Sequence, residues 1–453
     1  MSELISVGLD VGTTSTQLIV SKLTVENQAS GFAVPRMEIA NRQVIYQSPV
    51  YFTPLTGENL VDGEGVRDIL EQEYKKANIT PETVDTGAVI ITGETSRKEN
   101  ARAVLDALSQ VAGEFVVATA GPELESILAA KGAGATDYSQ KTGKSVLHMD
   151  IGGGTSNLAL VEDGKIVATG CMNVGGRLVK FSENGKVSYV SPAIARLTDL
   201  QPGQYPSSGQ VEGLAKILTC GLEMAASLRP KTELLENLWT KEAGTPWNVK
   251  KADVISFSGG VADCIEGVPG QFGDIGPVLG QKIKESLLCR EEYRLGTQTI
   301  RATVIGAGCH SAQLSGSTVF CQGVSLPVKN LPVAVFSEKE QSAEDLQEAI
   351  RRRLSRFDTE QVVLSLPGCS DYGGICALAE KLTKAMVNKT VTVATRTDCA
   401  KALGQRLWLN GCQEVLCIDG VPLETESFLD IGQPVGPAFP VVVKSLVFGK
   451  EQG

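Results

Sequence analysis

The sequence contains few of the residues that usually build metal sites, disulfide frameworks or nucleic-acid surfaces. It has two histidines in 453 residues, and its eleven cysteines are scattered without a single Cys-x-x-Cys pair. We therefore assign no zinc site, no disulfide framework and no histidine-based catalytic triad. Aspartate and glutamate outnumber lysine and arginine by 52 to 42, which gives a net charge of −10. Because this balance supplies no basic face, we expect no nucleic-acid partner.

Signals for a membrane or for export are also missing. The sequence has no run of eighteen apolar residues, which excludes a transmembrane helix. Its first residues include Glu3, where a signal peptide would have a basic region. We therefore expect a cytoplasmic protein that has no membrane partner.

Glycine, by contrast, is abundant, with 48 residues against 12 phenylalanines, 8 tyrosines and 3 tryptophans. This composition favours an α/β architecture with many tight loops that approach a ligand closely. The length predicts two or three domains. We place a first unit over residues 1–120, a second over 121–320 and a smaller C-terminal α/β domain over 325–453.

Hydrophobic patterning predicts the main elements. Two segments have the pattern of a β-hairpin: residues 4–23, with a turn at 10–14, and residues 145–161, with a turn at 150–155. A further strand is predicted over 88–91, and apolar periodicity predicts helices over 66–74, 104–111 and 211–222. Beyond residue 320, strands over 362–366, 391–394, 414–418 and 441–443 alternate with helices over 342–357, 375–386 and 400–409, and Ser342 with Asp345 resembles a capping box.

The two hairpins are copies of one pattern. Each has an aspartate at the end of an apolar strand and a glycine two residues later. Glycine lets backbone N–H groups approach a phosphate, and threonine hydroxyls add further donors. An aspartate at this place would repel the phosphate unless a divalent cation lay between them. The repeat therefore predicts a nucleotide bound with Mg²⁺ by these residues: Asp10, Gly12, Thr13, Thr14, Asp150, Gly152, Gly153, Gly154 and Thr155.

Two further strand-to-glycine junctions follow the hairpins. Residues 254–263 contain Ser258, Gly259 and Gly260, which fit a glycine-rich turn for the nucleoside. The second junction, at residues 303–308, ends in Gly306 and Gly308, and it has the form needed where a helix packs closely on a hinge. We count both glycines among the predicted cofactor-binding residues.

In the order of these motifs the chain resembles the superfamily of actin, the sugar kinases and the heat-shock chaperone ATPases. Residues 10–14 look like its first phosphate motif, residues 150–155 like its second and residues 258–262 like its adenosine motif. The resemblance covers residues 4–315. It implies two ribonuclease-H-like lobes that close on Mg-ATP.

The same resemblance extends to the two connecting motifs that form the interdomain hinge of the superfamily. Gly306 and Gly308 look like one of them. Residues 123–132, a helix of small residues led by Glu123, look like the other. This assignment gives Glu123 a role at a metal-associated water or at the nucleophilic water. A surface acid in the first helical turn, where the helix dipole favours it, explains Glu123 equally well.

A narrower resemblance covers the whole chain, including residues 92–100 and 429–434. It is to the ethanolamine ammonia-lyase reactivating factors. This resemblance implies an ATP-dependent chaperone that opens an inactivated adenosylcobalamin enzyme, releases damaged cobalamin and lets intact cofactor enter. The partner is then ethanolamine ammonia-lyase, and cobalamin is handled through that enzyme instead of being bound as a prosthetic group. A homodimer and a place in a bacterial microcompartment are both compatible with the resemblance.

Each candidate residue also has an ordinary structural explanation. Asp10 and Asp150 are assigned to Mg²⁺, and Asp150 alternatively to the attacking water, but each also fits a turn-capping aspartate. Thr13, Thr14 and Thr155 are candidate phosphate donors or plain hairpin residues. The sequence offers no dedicated base for an acceptor hydroxyl, so we expect slow ATP hydrolysis. Two other functions of the same fold remain open, a small-molecule kinase and an actin-like protein whose assembly is controlled by nucleotide.

Overall fold

Three large β-sheets organise the chain, and each sheet is formed by a separate stretch of the sequence. The computed structural model describes residues 2–12, 15–27, 37–56, 60–91, 116–119, 121–240, 247–268, 273–290, 292–310, 313–316, 318–355, 357, 359, 361–421, 423, 427–434 and 438–445. The predicted helix over 104–111 and the two threonines Thr13 and Thr14 lie outside these residues.

The first sheet has the order β3-β2-β1-β7-β8, with β4 paired to β2. Strands β1 and β2 form the predicted antiparallel hairpin, and β1 pairs in parallel with β7. One helix covers a face of this sheet, because its buried residues Val66, Leu70 and Tyr74 meet the apolar side chains of the strands. The elements of this lobe are β1 (Ser2–Val11), β2 (Ser15–Asn27), β3 (Met37–Gln47), β4 (Tyr51–Phe52), β5 (Leu55–Thr56), β6 (Leu60–Val61), α1 (Gly63–Ala77), β7 (Thr86–Ile91) and β8 (Val116–Thr119).

The second sheet repeats this arrangement. Its order is β11-β10-β9-β14-β15, with three antiparallel strands followed by two parallel ones, as in the first sheet. The duplicated strand order is that of two ribonuclease-H-like lobes, which confirms the predicted fold class. Its elements are α2 (Pro122–Gly132), α3 (Ala135–Thr142), β9 (Val146–Ile151), β10 (Ser156–Glu162), β11 (Lys165–Met172), β12 (Val179–Phe181), β13 (Val187–Val190), α4 (Ser208–Ala225), α5 (Glu233–Leu238), β14 (Val254–Ser258), α6 (Gly260–Ile265), α7 (Gly276–Glu285) and β15 (Tyr293–Leu295).

Helices α2 and α8 (Ala302–His310) cross between the two lobes. Helix α2 follows the first sheet but packs on the second, where Ala130 joins the core of β9 and β10. Helix α8 follows the second sheet but packs on the first, where Val304 and Ile305 meet Ile19. The chain thus passes twice between the lobes, as a two-lobed ATPase of the predicted kind requires.

The predicted strand-to-glycine junction at residues 303–308 is wrong, because the whole segment belongs to helix α8. Its glycines instead allow backbones to touch. A β-carbon on Gly306 would overlap the Leu128 carbonyl of α2, and one on Gly308 would lie 3.0 Å from the Gly8 nitrogen of β1. The overlap at Gly306 excludes any residue but glycine, and the approach at Gly308 is tighter than a β-carbon usually has. The expectation of close helix packing at these residues is therefore confirmed, although the local structure differs.

The third sheet has eight strands in the order β16-β23-β22-β18-β19-β20-β21-β17, and β18 to β21 run in parallel. Helices cover one face of β18 to β21, and on the other face these strands share an apolar cluster with side chains of β22 and β23. Its elements are β16 (Gln313–Leu314), β17 (Phe320–Gln322), β18 (Val328–Val335), α9 (Glu338–Ser342), α10 (Leu346–Leu354), β19 (Val363–Leu366), α11 (Tyr372–Ala385), β20 (Val391–Thr395), α12 (Ala400–Leu409), β21 (Val415–Asp419), β22 (Ser427–Ile431) and β23 (Pro440–Ser445).

Two details of this third unit differ from the sequence predictions. Strands β16 and β17 belong to its sheet, so this unit includes residues that the predicted division gave to the second lobe. The helix predicted over 342–357 is shorter, Leu346–Leu354, and a separate helix, α9, precedes it and ends at Ser342. The capping box is formed by Ser337 and Glu340 instead of Ser342 and Asp345, because Ser342 ends α9 and its hydroxyl donates to the Glu338 carbonyl.

A small apolar cluster joins the three units. It contains Ala88 and Ile90 of β7, Leu128 of α2, Ala307 of α8 and Val442 of β23. The two crossing helices, α2 and α8, therefore share one core with β23 of the third sheet. Among the residues described above, no helix is both long enough and apolar enough to cross a membrane.

Candidate functional site

A cleft lies between the two lobes, and both repeated hairpins open into it. In the first hairpin the Gly12 N–H donates to the Ser15 carbonyl at 2.9 Å, and in the second the Gly152 N–H donates to the Thr155 carbonyl at 3.0 Å. The two turns are thus closed by the same hydrogen bond. The predicted site residues that line the cleft are Asp10, Gly12, Asp150, Gly152, Gly153, Gly154, Thr155, Gly259 and Gly260.

The two hairpins also share a pair of residues beyond their turns, an aspartate that lies opposite a side-chain amide. Asp10 on β1 lies opposite Gln17 on β2, and Asp150 on β9 lies opposite Asn157 on β10. Both amides are buried and line the cleft. The Gln17 amide nitrogen donates to the Ile300 carbonyl at 3.2 Å, while its oxygen Oε1 has no hydrogen-bond partner among the described residues. The spacing of seven residues from aspartate to amide is visible in both copies, so the sequence did contain this signal.

The acid that α2 contributes to the cleft is Glu125, and the assignment of Glu123 is corrected accordingly. Glu123 is exposed in the first turn of α2, whereas Glu125 is buried and lines the cleft. The Asn157 amide donates to Glu125 Oε2 at 2.7 Å, which fixes the carboxylate beside the second hairpin. Two residues along a helix turn a side chain by about 200°, so only one of the two acids can face the cleft.

Asp150 is held by hydroxyl groups at the end of β9. Ser258 on β14 and Thr303 on α8 hydrogen-bond its side chain. Burial raises the pKa of Asp150 from 3.8 to about 6, and these two hydrogen bonds partly offset that rise. Asp150 is therefore mainly ionised at neutral pH, but its charged form is held in an environment that disfavours it.

Ser258 has a different place from the one predicted for it. Its side chain is fully buried and is not among the described residues that line the cleft, because it faces Asp150 and His148 behind the loop. Gly259, which follows it, does line the cleft with a φ of +85°, and a β-carbon there would overlap the Ile151 carbonyl. The turn therefore requires glycine at this position.

Gly306 and Gly308 were also predicted to contact the cofactor, and the structure corrects that prediction. Both are buried where α8 packs on α2 and β1, and neither is among the described residues that line the cleft. The part of α8 that reaches the cleft is its first turn, through Thr303. His148, by contrast, is buried behind the cleft, and both of its ring nitrogens are hydrogen-bonded.

Arg177 is a functional candidate that the sequence reasoning missed. It follows β11 in a short 3-10 helix. Its backbone N–H donates to the Gly153 carbonyl at 2.7 Å, which fixes the Arg177 backbone against the second hairpin. Burial lowers the pKa of Arg177, and the carboxylate of Asp274 opposes that effect. The contact depends on how β11 returns across the sheet, and no local motif announces it.

The charges that line the described wall of the cleft are unbalanced. Four carboxylates, those of Asp10, Glu125, Asp150 and Asp274, face a single guanidinium, that of Arg177. Burial raises the pKa of Asp274 as well as that of Asp150. A nucleotide polyphosphate would be repelled by such a wall unless a cation came with it.

The repeated lobes, the paired Asp-Gly hairpins and the glycine turn at one cleft define an actin-like ATPase fold. A profile of the family described as ethanolamine utilisation protein EutA matches residues 2–449. Two curated proteins named ethanolamine ammonia-lyase reactivase EutA, from Salmonella typhimurium and Escherichia coli, are each 38% identical to the chain over 98% of its length and 99% of theirs. The chain belongs to the EutA family, which confirms the resemblance found in the sequence.

Solved structures with a similar course of the chain include a Ppx/GppA family member from Aquifex aeolicus. It is 14% identical, with 67% of this chain and 97% of that chain covered and a TM-score of 0.43. Another is the ethanolamine utilization protein EutJ from Carboxydothermus hydrogenoformans, which is 16% identical, with 68% and 90% covered and a TM-score of 0.32.

Proposed function

We propose that the chain is an ATP-dependent reactivating chaperone for adenosylcobalamin-dependent ethanolamine ammonia-lyase. The name of its curated relatives supports the choice of the lyase as partner. The observation that carries the ATP dependence is the pair of hairpins, with their aspartates, that open into one cleft. The protein would act beside the lyase, in the cytoplasm or in a bacterial microcompartment. It would act there as a monomer or as a homodimer.

The residues of the cleft fit a nucleotide accompanied by Mg²⁺. The carboxylates of Asp10 and Asp150 are hard oxygen donors of the kind that Mg²⁺ and its water ligands prefer. So are the buried amide oxygens of Gln17 and Asn157, which accept no hydrogen bond from the residues that the structure describes. The four carboxylates and one guanidinium of the described cleft wall leave an excess of negative charge. Bound with ATP, Mg²⁺ would offset that excess. Asp10 and Asp150 would hold it, in part through water.

The remaining groups have separate tasks in this proposal. The backbone N–H groups of the glycine-rich hairpins bind phosphate oxygens, and Arg177 adds a fixed positive charge beside the second hairpin. Glu125, held by the Asn157 amide, orients the attacking water. A carboxylate that only orients a water molecule activates it weakly. This role of Glu125 agrees with the slow hydrolysis expected of a chaperone.

Coupling to the partner would run through the crossing helices. ATP and ADP favour different angles between the lobes only to the extent that their affinities for the two arrangements differ. A change of angle moves α2 against α8, and both helices contribute to the apolar cluster that includes Val442 of the third unit. The lyase would experience this motion as a change of affinity, and release of damaged cobalamin would follow.

A recovery assay tests the proposal. Ethanolamine ammonia-lyase inactivated with cyanocobalamin is mixed with the protein, Mg-ATP and free adenosylcobalamin, and the release of ammonia and acetaldehyde is followed. We expect recovery that requires ATP and fails without Mg²⁺. The Asp10→Asn variant should bind the inactivated lyase and fail to restore it. Recovery of the same extent with Asp10→Asn, or without nucleotide, would contradict the proposal.

A further inference from the structure

A column of polar side chains interrupts an otherwise apolar face of the second sheet. On β9 and β14 the residues farthest from the cleft, Val146 and Val254, pack against alanines of α2 and α3. On the same face and nearer the cleft, His148 pairs with Ser256 and Asp150 pairs with Ser258 in the parallel register. The polar column therefore leads from the interior of the lobe to the carboxylate at the edge of the cleft.

The hydrogen bonds in this column have one consistent direction. Ser258 donates its only hydroxyl proton to Asp150 Oδ1. Its oxygen is then free to accept from His148 Nε2, which lies 2.9 Å away. In the neutral ring, His148 Nδ1, 3.1 Å from the Ser256 hydroxyl, must in turn accept a hydrogen bond from that hydroxyl. The bond to Asp150 thus determines which ring nitrogen of His148 carries hydrogen.

We propose that His148 and Ser258 are positioning residues that hold the Asp150 side chain in the orientation needed at the cleft. This inference rests on the proposed ATPase function and deepens it. Ser258 alone could rotate its hydroxyl to other acceptors. With His148 donating to its oxygen, the Ser258 hydroxyl proton is directed at the carboxylate. One of the two hydroxyl groups that hold Asp150 is therefore oriented from behind the loop, and the other belongs to Thr303.

A purely structural role would not favour these residue types. Ser256, His148 and Ser258 have no measurable exposure to solvent. Buried polar groups need a hydrogen-bond partner to avoid a cost in free energy, whereas apolar residues on the same face would contribute to the core without that requirement, as Val146 and Val254 do. A column of polar residues that ends at a candidate catalytic carboxylate agrees better with the positioning of that carboxylate.

Ser258→Ala and His148→Leu test the inference by removing successive members of the column. We expect each variant to lower kcat for Mg-ATP hydrolysis by about 10- to 100-fold, the usual effect of losing a group that orients a ligating carboxylate, with the KM for ATP unchanged. His148→Gln keeps an N–H donor near the position of Nε2 and should retain more activity than His148→Leu. Ser139→Ala is the control, because Ser139 is equally buried in the same lobe, its hydroxyl accepts a hydrogen bond from the Gly164 N–H, and it is not among the described residues that line the cleft.

A second readout does not depend on activity. A crystal structure of the Ser258→Ala variant without nucleotide should show that the Asp150 side chain has rotated or occupies several positions, while the strands keep their register. Assays are made well below each melting temperature, so that lost stability is not counted as lost turnover. Unchanged kcat in Ser258→Ala, or equal losses in His148→Gln and His148→Leu, would overturn the inference. Absence of ATP hydrolysis by the wild-type protein would instead contradict the proposed function itself.

Discussion

Replacing Asp150 with asparagine should make the protein more stable at neutral and alkaline pH while removing its ATP turnover. Asp150 is 8% exposed, and burial raises its pKa from 3.8 to about 6. Because the folded protein binds this proton more tightly than the unfolded chain does, ionisation of Asp150 destabilises the fold. Asparagine keeps the shape of the side chain and an oxygen for the Ser258 hydroxyl, but it carries no charge.

The size of the effect follows from the difference in pKa between the two states. The interval from 3.8 to about 6, at about 1.4 kcal/mol for each pH unit, corresponds to about 3 kcal/mol. The destabilisation is absent below pH 3.8, grows as the pH rises from there to about 6, and is constant above that. The gain in Asp150→Asn should therefore be about 3 kcal/mol at pH 8 and about half of that at pH 5.

Urea denaturation of the wild type and of Asp150→Asn at several pH values, with EDTA and without nucleotide, measures this gain. Comparison at each pH cancels the contributions of the other carboxyl groups. Asp199→Asn is the matched control, because Asp199 is exposed on the same lobe and should give no gain at any pH. A gain for Asp150→Asn that does not change between pH 4 and pH 8, or a loss of stability at pH 8, would refute the reasoning.

Three further substitutions test the geometry of the cleft. Glu125→Gln should lower the rate of ATP hydrolysis by about 100-fold or more, as the loss of a group that positions a reacting water does, whereas Glu123→Gln should leave it unchanged. Gly259→Ala should lower the midpoint of urea denaturation more than Gly203→Ala, because both glycines have a positive φ but only at Gly259 would a β-carbon overlap backbone. Arg177→Gln should raise the Kd for ATP, measured by calorimetry, by about tenfold through the loss of one charge-assisted contact.

Each of these comparisons can fail in a distinct way. Equal losses in the rate of ATP hydrolysis for Glu125→Gln and Glu123→Gln would show that the wrong face of α2 has been assigned to the cleft. Gly203→Ala should cost about 1–2 kcal/mol from its φ alone, so a Gly259→Ala variant of the same stability would refute the overlap. For Arg177, substitution of the exposed Arg196 by glutamine is the control. An equal change of Kd in both arginine variants would indicate a general effect of charge.

The hairpins were predictable because turn chemistry is local. An aspartate, a glycine two residues later and a strand on either side determine the hairpin from within some twenty residues, and the second copy, at Asp150, excludes coincidence. The same holds for helices with strong apolar periodicity, such as α4. Four of its five periodic residues, Val211, Leu214, Leu218 and Leu222, are buried, and the fifth, Ile217, is half-buried. Here sequence and packing agree.

The errors arose where long-range packing decides. Residues 303–305 have the β-branched composition of a strand, but they form part of helix α8 because the glycines that follow let it lie against α2 and β1. Glu123 and Glu125 are indistinguishable by composition, and only the contact of α2 with β10 selects Glu125. The partner of Ser258 lies 108 residues away on another strand, and no local pattern announces that contact.

The apolar cluster that Val442 shares with Ile90, Leu128 and Ala307 has a thermodynamic consequence. Since both crossing helices and the last strand of the third sheet are in one core, a partner that prefers one arrangement of that core must change the affinity of the cleft for nucleotide. Reciprocity requires that nucleotide change the affinity for the partner by the same factor. A partner bound at the third unit would therefore respond to the nucleotide in the cleft. Binding of the inactivated lyase should then be detectable as a change in the affinity of the protein for ATP, before any turnover takes place.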